Sequence, residues 1–254
     1  MADHLEAPLL RAMQLTRRFD GLTAVDQVSI DLHVGEVHAV IGTNGAGKST
    51  LINMLSGELP ASGGRIELDG QDIGRWSTPR RARAGIGRSF QRTTIFPSFS
   101  VFENCRLCAQ AAMPRGWALW ESAEHCKASQ RAALEALQSA GLEDVAARLA
   151  GALSHGEKRQ LEIAMCLATR PRVLLLDEPL AGMGPEETGR MLGLLSRLRR
   201  NHAVLLVEHD MDAVFRIADR ITVMVNGTVI ASDVPERIRQ NAEVQVAYLG
   251  DEYT

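Results

Sequence analysis

A glycine-rich segment followed by a lysine and a hydroxyl residue is the clearest chemical feature of the sequence. The segment Gly42-Thr43-Asn44-Gly45-Ala46-Gly47-Lys48-Ser49 fits the spacing G-x-x-x-x-G-K-S without a mismatch. Glycines let successive backbone N–H groups curve around anionic oxygens, and the start of a following helix adds its dipole. Lys48 is then placed to reach the β- and γ-phosphates of a nucleotide, and Ser49 to put its hydroxyl on Mg²⁺. The segment therefore predicts a site for a nucleoside triphosphate.

The surroundings of this segment support its interpretation as a phosphate-binding loop. An apolar run at residues 37–41 precedes it, as a strand would, and a helix is predicted from near Gly47 to Gly57. A ligand-free strand-to-helix turn is the alternative, but the lysine and serine at the proper offset speak against it. The predicted nucleotide contacts in the loop are Gly42, Asn44, Gly45, Gly47, Lys48, Ser49 and Thr50.

Two carboxylates follow a second apolar run. Residues 173–176 are Val-Leu-Leu-Leu, typical of a strand buried on both faces of a parallel sheet, and Asp177 and Glu178 come directly after them. Ligands of open α/β sheets bind at the carboxyl ends of the strands, so we expect both side chains near the phosphate loop. Asp177 matches a carboxylate that organises Mg²⁺, and Glu178 is placed to polarise an attacking water as general base. A solvated Asp-Glu pair is the alternative, which the phosphate loop disfavours.

The stretch Leu153-Ser154-His155-Gly156-Glu157 lies between these two motifs. Ser154 and Glu157 have the spacing of a capping box, and residues 158–167 have the pattern of the helix that it would start. Capping does not account for Gly156. Since a helix start with a serine hydroxyl and a glycine N–H is also an anion site, we expect both roles together.

Composition and charge indicate the class of protein and its expected location in the cell. The chain has 254 residues, of which 45% are hydrophobic and 23% charged, as in an ordinary soluble globular protein. A net charge of −3 gives no electrostatic argument for nucleic acid. No run approaches the ~18 apolar residues of a membrane span, and the first residues lack a secretory pattern. We therefore expect a cytoplasmic protein that reaches a membrane only through a partner chain.

The four cysteines raise the question of a zinc site. Cys105 and Cys108 have the spacing of half such a site, and His125 and Cys126 could add ligands; Cys166 stands apart. No second pair of that spacing follows. Because a helix from residue 103 onward would put Cys105 and Cys108 on one face, we interpret them as small apolar residues.

The remaining patterns indicate an α/β fold. Residues 10–32 and 65–73 alternate loosely between apolar and polar, as antiparallel strands with one solvated face do. From about residue 93 to 152 alanine, leucine, glutamine and arginine dominate, which favours helices. Further predicted elements are a strand over 204–207, helices over 127–140 and 186–200, and a hairpin over 221–230 that turns at Asn226-Gly227.

The phosphate loop, the LSHGE element and the strand ending in Asp177-Glu178 together resemble the motifs of ATP-binding-cassette (ABC) ATPases, and the resemblance extends over residues 10–250. In that family the LSHGE signature completes the ATP site of a second subunit, so Ser154 and Gly156 would hold the γ-phosphate bound by the partner. The resemblance implies an enzyme that binds ATP and Mg²⁺ and hydrolyses ATP, paired with a second copy or a paralogue. His155 stands where many members have Gly.

The resemblance also implies further site residues. Gln91 fits the glutamine that senses Mg²⁺ and water, and His209 fits the switch histidine to the γ-phosphate. Phe19 fits the aromatic residue that stacks on adenine, with Val25 as its neighbour. The implied catalytic residues are Glu178, His209, Gln91 and Lys48, and the implied Mg²⁺ ligands are Ser49, Gln91 and Asp177.

One family feature is missing from the sequence. Residues 181–185, Ala-Gly-Met-Gly-Pro, lie where the family has its interface loop, but the usual Asp is absent and Gly184 is the nearest aligned residue. The contact that this Asp makes across the dimer is therefore not predicted here.

The expected architecture is a phosphate-loop ATPase core with a mostly parallel sheet, an antiparallel β subdomain and an inserted α-helical subdomain. The core with its β subdomain would span residues 10–91 and 160–235. The helical signature subdomain would span residues 92–159, and a C-terminal helical tail residues 236–254.

Several stretches resemble the ATP-binding subunits of branched-chain amino acid importers and their urea and amide relatives; they are residues 87–92, 181–185, 207–211 and 247–250. This implies membrane permease subunits, which would dock on residues 93–99, and an external solute-binding protein, with this chain on the cytoplasmic face of the membrane. A urea or amide transporter is the alternative, followed by a non-transport ABC ATPase and by a phosphate-loop kinase or GTPase. The coiled coil of repair members and the second cassette of translation-linked members are both absent from the sequence.

Overall fold

The computed structural model describes residues 7–90, 94–113 and 126–249 and contains two β-sheets flanked by helices. The strands are β1 (Leu10–Phe19), β2 (Leu22–Leu32), β3 (Val37–Gly42), β4 (Gly63–Leu68), β5 (Gln71–Asp72), β6 (Ile86–Arg88), β7 (Val173–Asp177), β8 (Ala203–Val207), β9 (Arg220–Val225) and β10 (Thr228–Asp233). The helices are α1 (Lys48–Ser56), α2 (Thr78–Arg83), α3 (Val101–Ala112), α4 (Lys127–Ala140), α5 (His155–Ala168), α6 (Pro185–Leu198), α7 (Met211–Ile217), α8 (Pro235–Gln240) and α9 (Ala242–Leu249).

The smaller sheet is antiparallel, in the order β2-β1-β4-β5. Register shifts interrupt the pairing of β1 with β2 at three places and that of β1 with β4 at one. Each shift changes which side chains face the core, which explains why the alternation in the sequence is loose.

The larger sheet has the order β10-β9-β3-β8-β7-β6, and all its neighbouring strands are parallel except β9 and β10. Every residue of β3, β7 and β8 is buried, as continuous apolar runs require. The parallel strands end at one edge of the sheet, and the phosphate loop, Asp177 and Glu208 follow there. The predicted α/β fold with a mostly parallel and an antiparallel sheet is confirmed.

Helices α3, α4 and α5 pack against one another, as the helix-rich composition of this stretch predicts. Cys105 is fully buried in their apolar cluster and Cys108 packs against it, so both behave as apolar residues. The helix α4 has the predicted bounds and ends at Gly141 in a left-handed conformation. The division into subdomains at residues 91–92 and 159–160 stays a prediction.

The hairpin of β9 and β10 turns at Asn226 and Gly227, whose φ angles of 48° and 83° are both positive, as the sequence predicts for this turn. Helices α8 and α9 follow it. Within the described residues, no helix has both the length and the apolar character needed to cross a bilayer.

Candidate functional site

The phosphate loop joins β3 to α1, and the surroundings of its first and last glycines leave no room for a side chain. Gly47 caps α1 with φ 97°, and a Cβ there would overlap the carbonyl oxygen of Ala24. A Cβ on the buried Gly42 would likewise overlap the carbonyl oxygen of Met224. The predicted helix is confirmed, with Gly57 at its end. The predicted contacts that face solvent are Asn44, Gly45 and Ser49, with Thr50 half-buried.

Lys48 is the buried cation of the loop. Its Nζ donates to the carbonyl oxygens of Gly42 at 2.6 Å and Thr43 at 3.0 Å, so the ammonium group lies against the loop backbone. Burial lowers the pKa of Lys48, while the negative charges of Glu178 and Asp177 oppose that shift. The fold therefore brings the predicted lysine and both predicted carboxylates into one electrostatic neighbourhood.

Asp177 is the last residue of β7, and its side chain is only 4% exposed. Burial raises the pKa of Asp177, and the Arg88 guanidinium, 3.8 Å from Oδ2, partly offsets this. Among the described residues, Oδ1 of Asp177 has no hydrogen-bond partner. A buried carboxylate oxygen without a partner is costly in isolation and is the kind of ligand that a hard cation such as Mg²⁺ takes.

Glu178 follows Asp177 with a φ of 49°, a conformation that residues other than glycine rarely adopt. Its amide donates to the carbonyl oxygen of Val207 at the end of β8, which fixes this turn to the neighbouring strand. His209 follows the same strand, and its Nδ1 lies 3.9 Å from Oε1 of Glu178. The histidine side chain is 59% exposed and that of the glutamate 21%, so both border solvent.

Sequence reasoning missed the role of Glu208, which has no exposed surface. Its Oε1 accepts from the amide of Leu180 at 2.8 Å, and its Oε2 accepts from the amide of His209 at 3.2 Å. Burial raises the pKa of Glu208, and the two amide donors oppose that shift. One carboxylate thus ties the segment after Glu178 to the segment that carries His209. The sequence signal for this role of Glu208 is its position as a charged residue directly after an all-apolar strand.

The signature stretch forms the predicted capping box at the start of α5. The Ser154 hydroxyl accepts from the amide of Glu157 at 3.2 Å, and the Glu157 carboxylate accepts from the amide of Ser154 at 2.7 Å. A hydroxyl that accepts one bond still has its proton to donate. The start of α5 contacts the interface loop through His155, which lies against Ala181, and contacts α6 through the amide of Gly156, which donates to Glu187.

The two residues predicted around adenine differ in exposure. Phe19 ends β1 and is 40% exposed, with the Arg17 guanidinium 4.5 Å from its ring centroid. Val25 is fully buried in the core behind Gly47, so in this structure it supports the phosphate loop and offers no face to a base. Gln91, the predicted Mg²⁺ and water sensor, lies outside the described residues.

Comparisons with known protein families agree with this geometry. The profile of the ABC transporter family matches residues 25–181, which include the phosphate loop, the signature and Asp177-Glu178. The profile of the branched-chain amino acid ATP-binding cassette transporter matches residues 228–254.

Individual relatives match over nearly the whole chain. The high-affinity branched-chain amino acid transport ATP-binding protein BraF of Pseudomonas aeruginosa is 39% identical, over 97% of this chain and 100% of that protein. The protein LivG of Escherichia coli, with the same description, is 40% identical over 97% of this chain and 100% of its own. A solved nucleotide-free ATP-binding cassette from an ABC transporter is 29% identical and has a TM-score of 0.83 over 95% of this chain and 98% of that one. The chain therefore belongs to the ABC transporter family and is an ATP-binding cassette ATPase.

Proposed function

We propose that this ATPase drives an importer for branched-chain amino acids. The observation that carries the proposal is the full-length similarity to BraF and LivG, both described as high-affinity branched-chain amino acid transport ATP-binding proteins. The match of residues 228–254 to a profile specific for that class adds independent support from the C-terminal end. A urea or amide transporter is the competing proposal, based on the LSHGE signature alone.

In the proposed reaction Lys48 binds the β- and γ-phosphates and Glu178 accepts a proton from the attacking water. The Glu178 side chain is 21% exposed and borders solvent, where a water has access to it. In this proposal His209, whose Nδ1 lies 3.9 Å from Oε1 of Glu178, donates to the γ-phosphate and helps to orient Glu178. Phe19, exposed at the end of β1, offers a ring on which adenine stacks.

We propose Mg²⁺ as the cation of this site, held by Asp177, Ser49 and Gln91. The buried Oδ1 of Asp177, which has no hydrogen-bond partner in the described part of the chain, and the exposed Ser49 fit a hard cation with oxygen ligands. When bound, Mg²⁺ neutralises the charge of the phosphates. Asp177 itself is held for that task by the Arg88 guanidinium and by the Ser89 hydroxyl, which accepts from the Asp177 amide at 3.3 Å.

We propose that two ATPase subunits, either two copies or this chain and a paralogue, enclose ATP between them. The Ser154 hydroxyl and the Gly156 amide sit at the start of a 14-residue helix, where backbone N–H groups favour an anion. Within the chain the Ser154 hydroxyl accepts from the Glu157 amide, and the Gly156 amide donates to Glu187. A partner's γ-phosphate supplies the anion in this proposal, so assembly requires ATP.

The permease subunits would dock beside Phe96 and Phe99. These stacked rings, with centroids 5.6 Å apart, are 50% and 43% exposed, so they are surface residues and not core. Asn104 holds this segment by accepting from the amide of Phe96 and donating to its carbonyl oxygen. A cleft of roughly 250 Å³ is lined by Phe90, Thr94 and Met165, and in this proposal it receives part of a permease helix. The chain would thus sit peripherally on the cytoplasmic face, with an external solute-binding protein delivering cargo.

A deletion strain tests the transport proposal directly. Such a strain should lose uptake of labelled leucine, isoleucine and valine, and the wild-type gene should restore it, whereas Glu178→Gln should not. Normal uptake of all three, together with a defect in urea or amide uptake, would replace the amino acid assignment with the competing one.

A further inference from the structure

Two positions at which this sequence departs from the ABC pattern lie close together in the structure. His155 stands at a signature position where many members have Gly, and the interface loop at residues 181–185 lacks its usual Asp. The Nε2 atom of His155 lies 3.0 Å from the carbonyl oxygen of Ala181, the first residue of that loop. Because a carbonyl oxygen can only accept, Nε2 carries the proton of this hydrogen bond.

The interface loop is shaped to admit the imidazole at Gly182. This residue has a φ of 76°, which L side chains rarely adopt, and a Cβ on it would lie 3.1 Å from Nε2 of His155. The positive φ favours glycine here, and a Cβ would require the imidazole to shift by a few tenths of an ångström. The contact is made by the side chain of His155 and by the backbone carbonyl group of Ala181.

A second contact joins the same two segments just beyond the loop. The Gly156 amide donates to Oε1 of Glu187 at 3.3 Å, and Glu187 lies in the first turn of α6. A Cβ on Gly156 would fall 2.7 Å from Cδ of Glu187, so a larger residue at this position would have to move the Glu187 side chain. The start of α5 thus contacts the first residue of the interface loop and the first turn of the helix that follows it.

We propose that His155 is a positioning residue that holds the interface loop in a fixed place relative to Ser154 and Gly156. It acts through the Ala181 carbonyl group and not on phosphate. Both segments then face the partner's nucleotide as one surface, and the histidine supplies an anchor for a loop that lacks its Asp. This inference rests on the proposed ATP-enclosing dimer.

The test uses Glu178→Gln as background and measures the ATP concentration for half-maximal dimerisation by light scattering. His155→Leu removes the donor with little change in bulk, and it should raise that concentration about two- to tenfold, the worth of one hydrogen bond of ~0.5–1.5 kcal/mol. His155→Gln retains an N–H at similar reach, so its ATP concentration for half-maximal dimerisation should stay within about twofold of the background value. If the ring acted only by packing, His155→Gln would lose as much as His155→Leu. His202→Leu is the matched control, since it also removes a ring-to-carbonyl bond, from Nδ1 to Leu198 at 2.7 Å, but away from the loop.

A double-mutant cycle separates positioning from a direct role of His155 on phosphate. Gly182→Ala should also weaken dimerisation, because alanine is strained at a φ of 76° and its Cβ crowds the imidazole. If both variants act through the same contact, the loss in the double variant should be smaller than the product of the two single losses. Multiplicative effects would show that His155 acts independently of the loop and would overturn the inference, as would equal losses in His155→Leu and His155→Gln. If the background itself forms no ATP-dependent dimer, the proposed dimer is wrong. If the background does form this dimer and His155→Leu needs no more ATP than the background to dimerise, only the proposed role of His155 is wrong.

Discussion

The Nδ1 atom of His209 lies 3.9 Å from Oε1 of Glu178, although the two residues belong to segments that follow different strands. The strands β7 and β8 are parallel neighbours, so their carboxyl ends lie side by side. The buried Glu208 carboxylate then ties the two following segments together through the amides of Leu180 and His209. The proposed base and the proposed switch histidine are therefore positioned by one shared element.

Glu178→Gln should lose ATP hydrolysis by ~10²–10⁴-fold while retaining ATP binding, because the amide has the same shape but cannot accept a proton from water. Steady-state hydrolysis and equilibrium nucleotide binding measure the two effects separately. Lys48→Ala is the comparison variant and should weaken binding itself, since it removes the cation from the phosphates. Equal hydrolysis rates in Glu178→Gln and wild type would remove Glu178 from the role of base.

Asp177→Asn should shift the Mg²⁺ dependence of hydrolysis. The substitution keeps the size of the side chain but removes the charge of the buried oxygen that lacks a partner among the described residues. The Mg²⁺ concentration for half-maximal hydrolysis should rise by roughly tenfold or more, since even residues that only support metal ligands cost about that much. Chelation of Mg²⁺ should abolish hydrolysis by the wild type. An unchanged Mg²⁺ dependence in the variant would place the cation elsewhere.

Glu208→Ala should destabilise the fold more than Glu208→Gln, because it leaves the Leu180 and His209 amides without their acceptor at about 1–3 kcal/mol for each buried group. Gln keeps one acceptor oxygen. Burial raises the pKa of Glu208 above 4.5, so the native state holds this proton more tightly than the unfolded one. The contribution of Glu208 to stability is therefore lost as the pH rises from 4.5 through the raised pKa, and Glu208→Gln should lack this dependence.

Urea unfolding at several pH values measures both effects of the Glu208 variants. Identical free energies of unfolding for Glu208→Ala and Glu208→Gln would show that the carboxylate does not hold the two segments together.

Phe96→Asp and Phe99→Asp should uncouple transport from hydrolysis. Both side chains are exposed, so the variants should fold and retain the hydrolysis rate of the isolated subunit, whereas a charge on the docking surface should abolish transport in a reconstituted complex. Leu134→Asp is the control, since Leu134 is an equally exposed apolar residue (55%) on α4. Loss of folding in the Phe variants would assign these rings to packing, and transport at the wild-type rate would move the docking site elsewhere.

The features that the sequence predicts best are local ones. The phosphate loop with its capping glycines, the capping box of Ser154 and Glu157 and the turn at Asn226-Gly227 each depend on a few adjacent residues, so their spacing alone specifies them. Their bounds in the structure agree closely with the prediction.

The features that the sequence does not predict are contacts between distant segments. Val25 was placed near adenine by resemblance, but the bulged pairing of β1 with β2 turns it into the core. The contacts of Glu208 with Leu180, and of His155 with Ala181, depend on the parallel order of the strands and on helix packing. Neither contact follows from the spacing of a few adjacent residues, so only the three-dimensional structure shows them.

The most direct test of the ATP-enclosing dimer mixes two inactive subunits and counts trapped ATP. Both carry Glu178→Gln, so that bound ATP is not consumed; one also carries Lys48→Ala, and the other Ser154→Asp, which keeps a good helix cap but repels the γ-phosphate. If Ser154 serves the partner's ATP, the mixed dimer has one intact site and should trap one ATP per dimer, while neither parent alone traps any. A mixture that traps no more ATP than its parents would contradict the account.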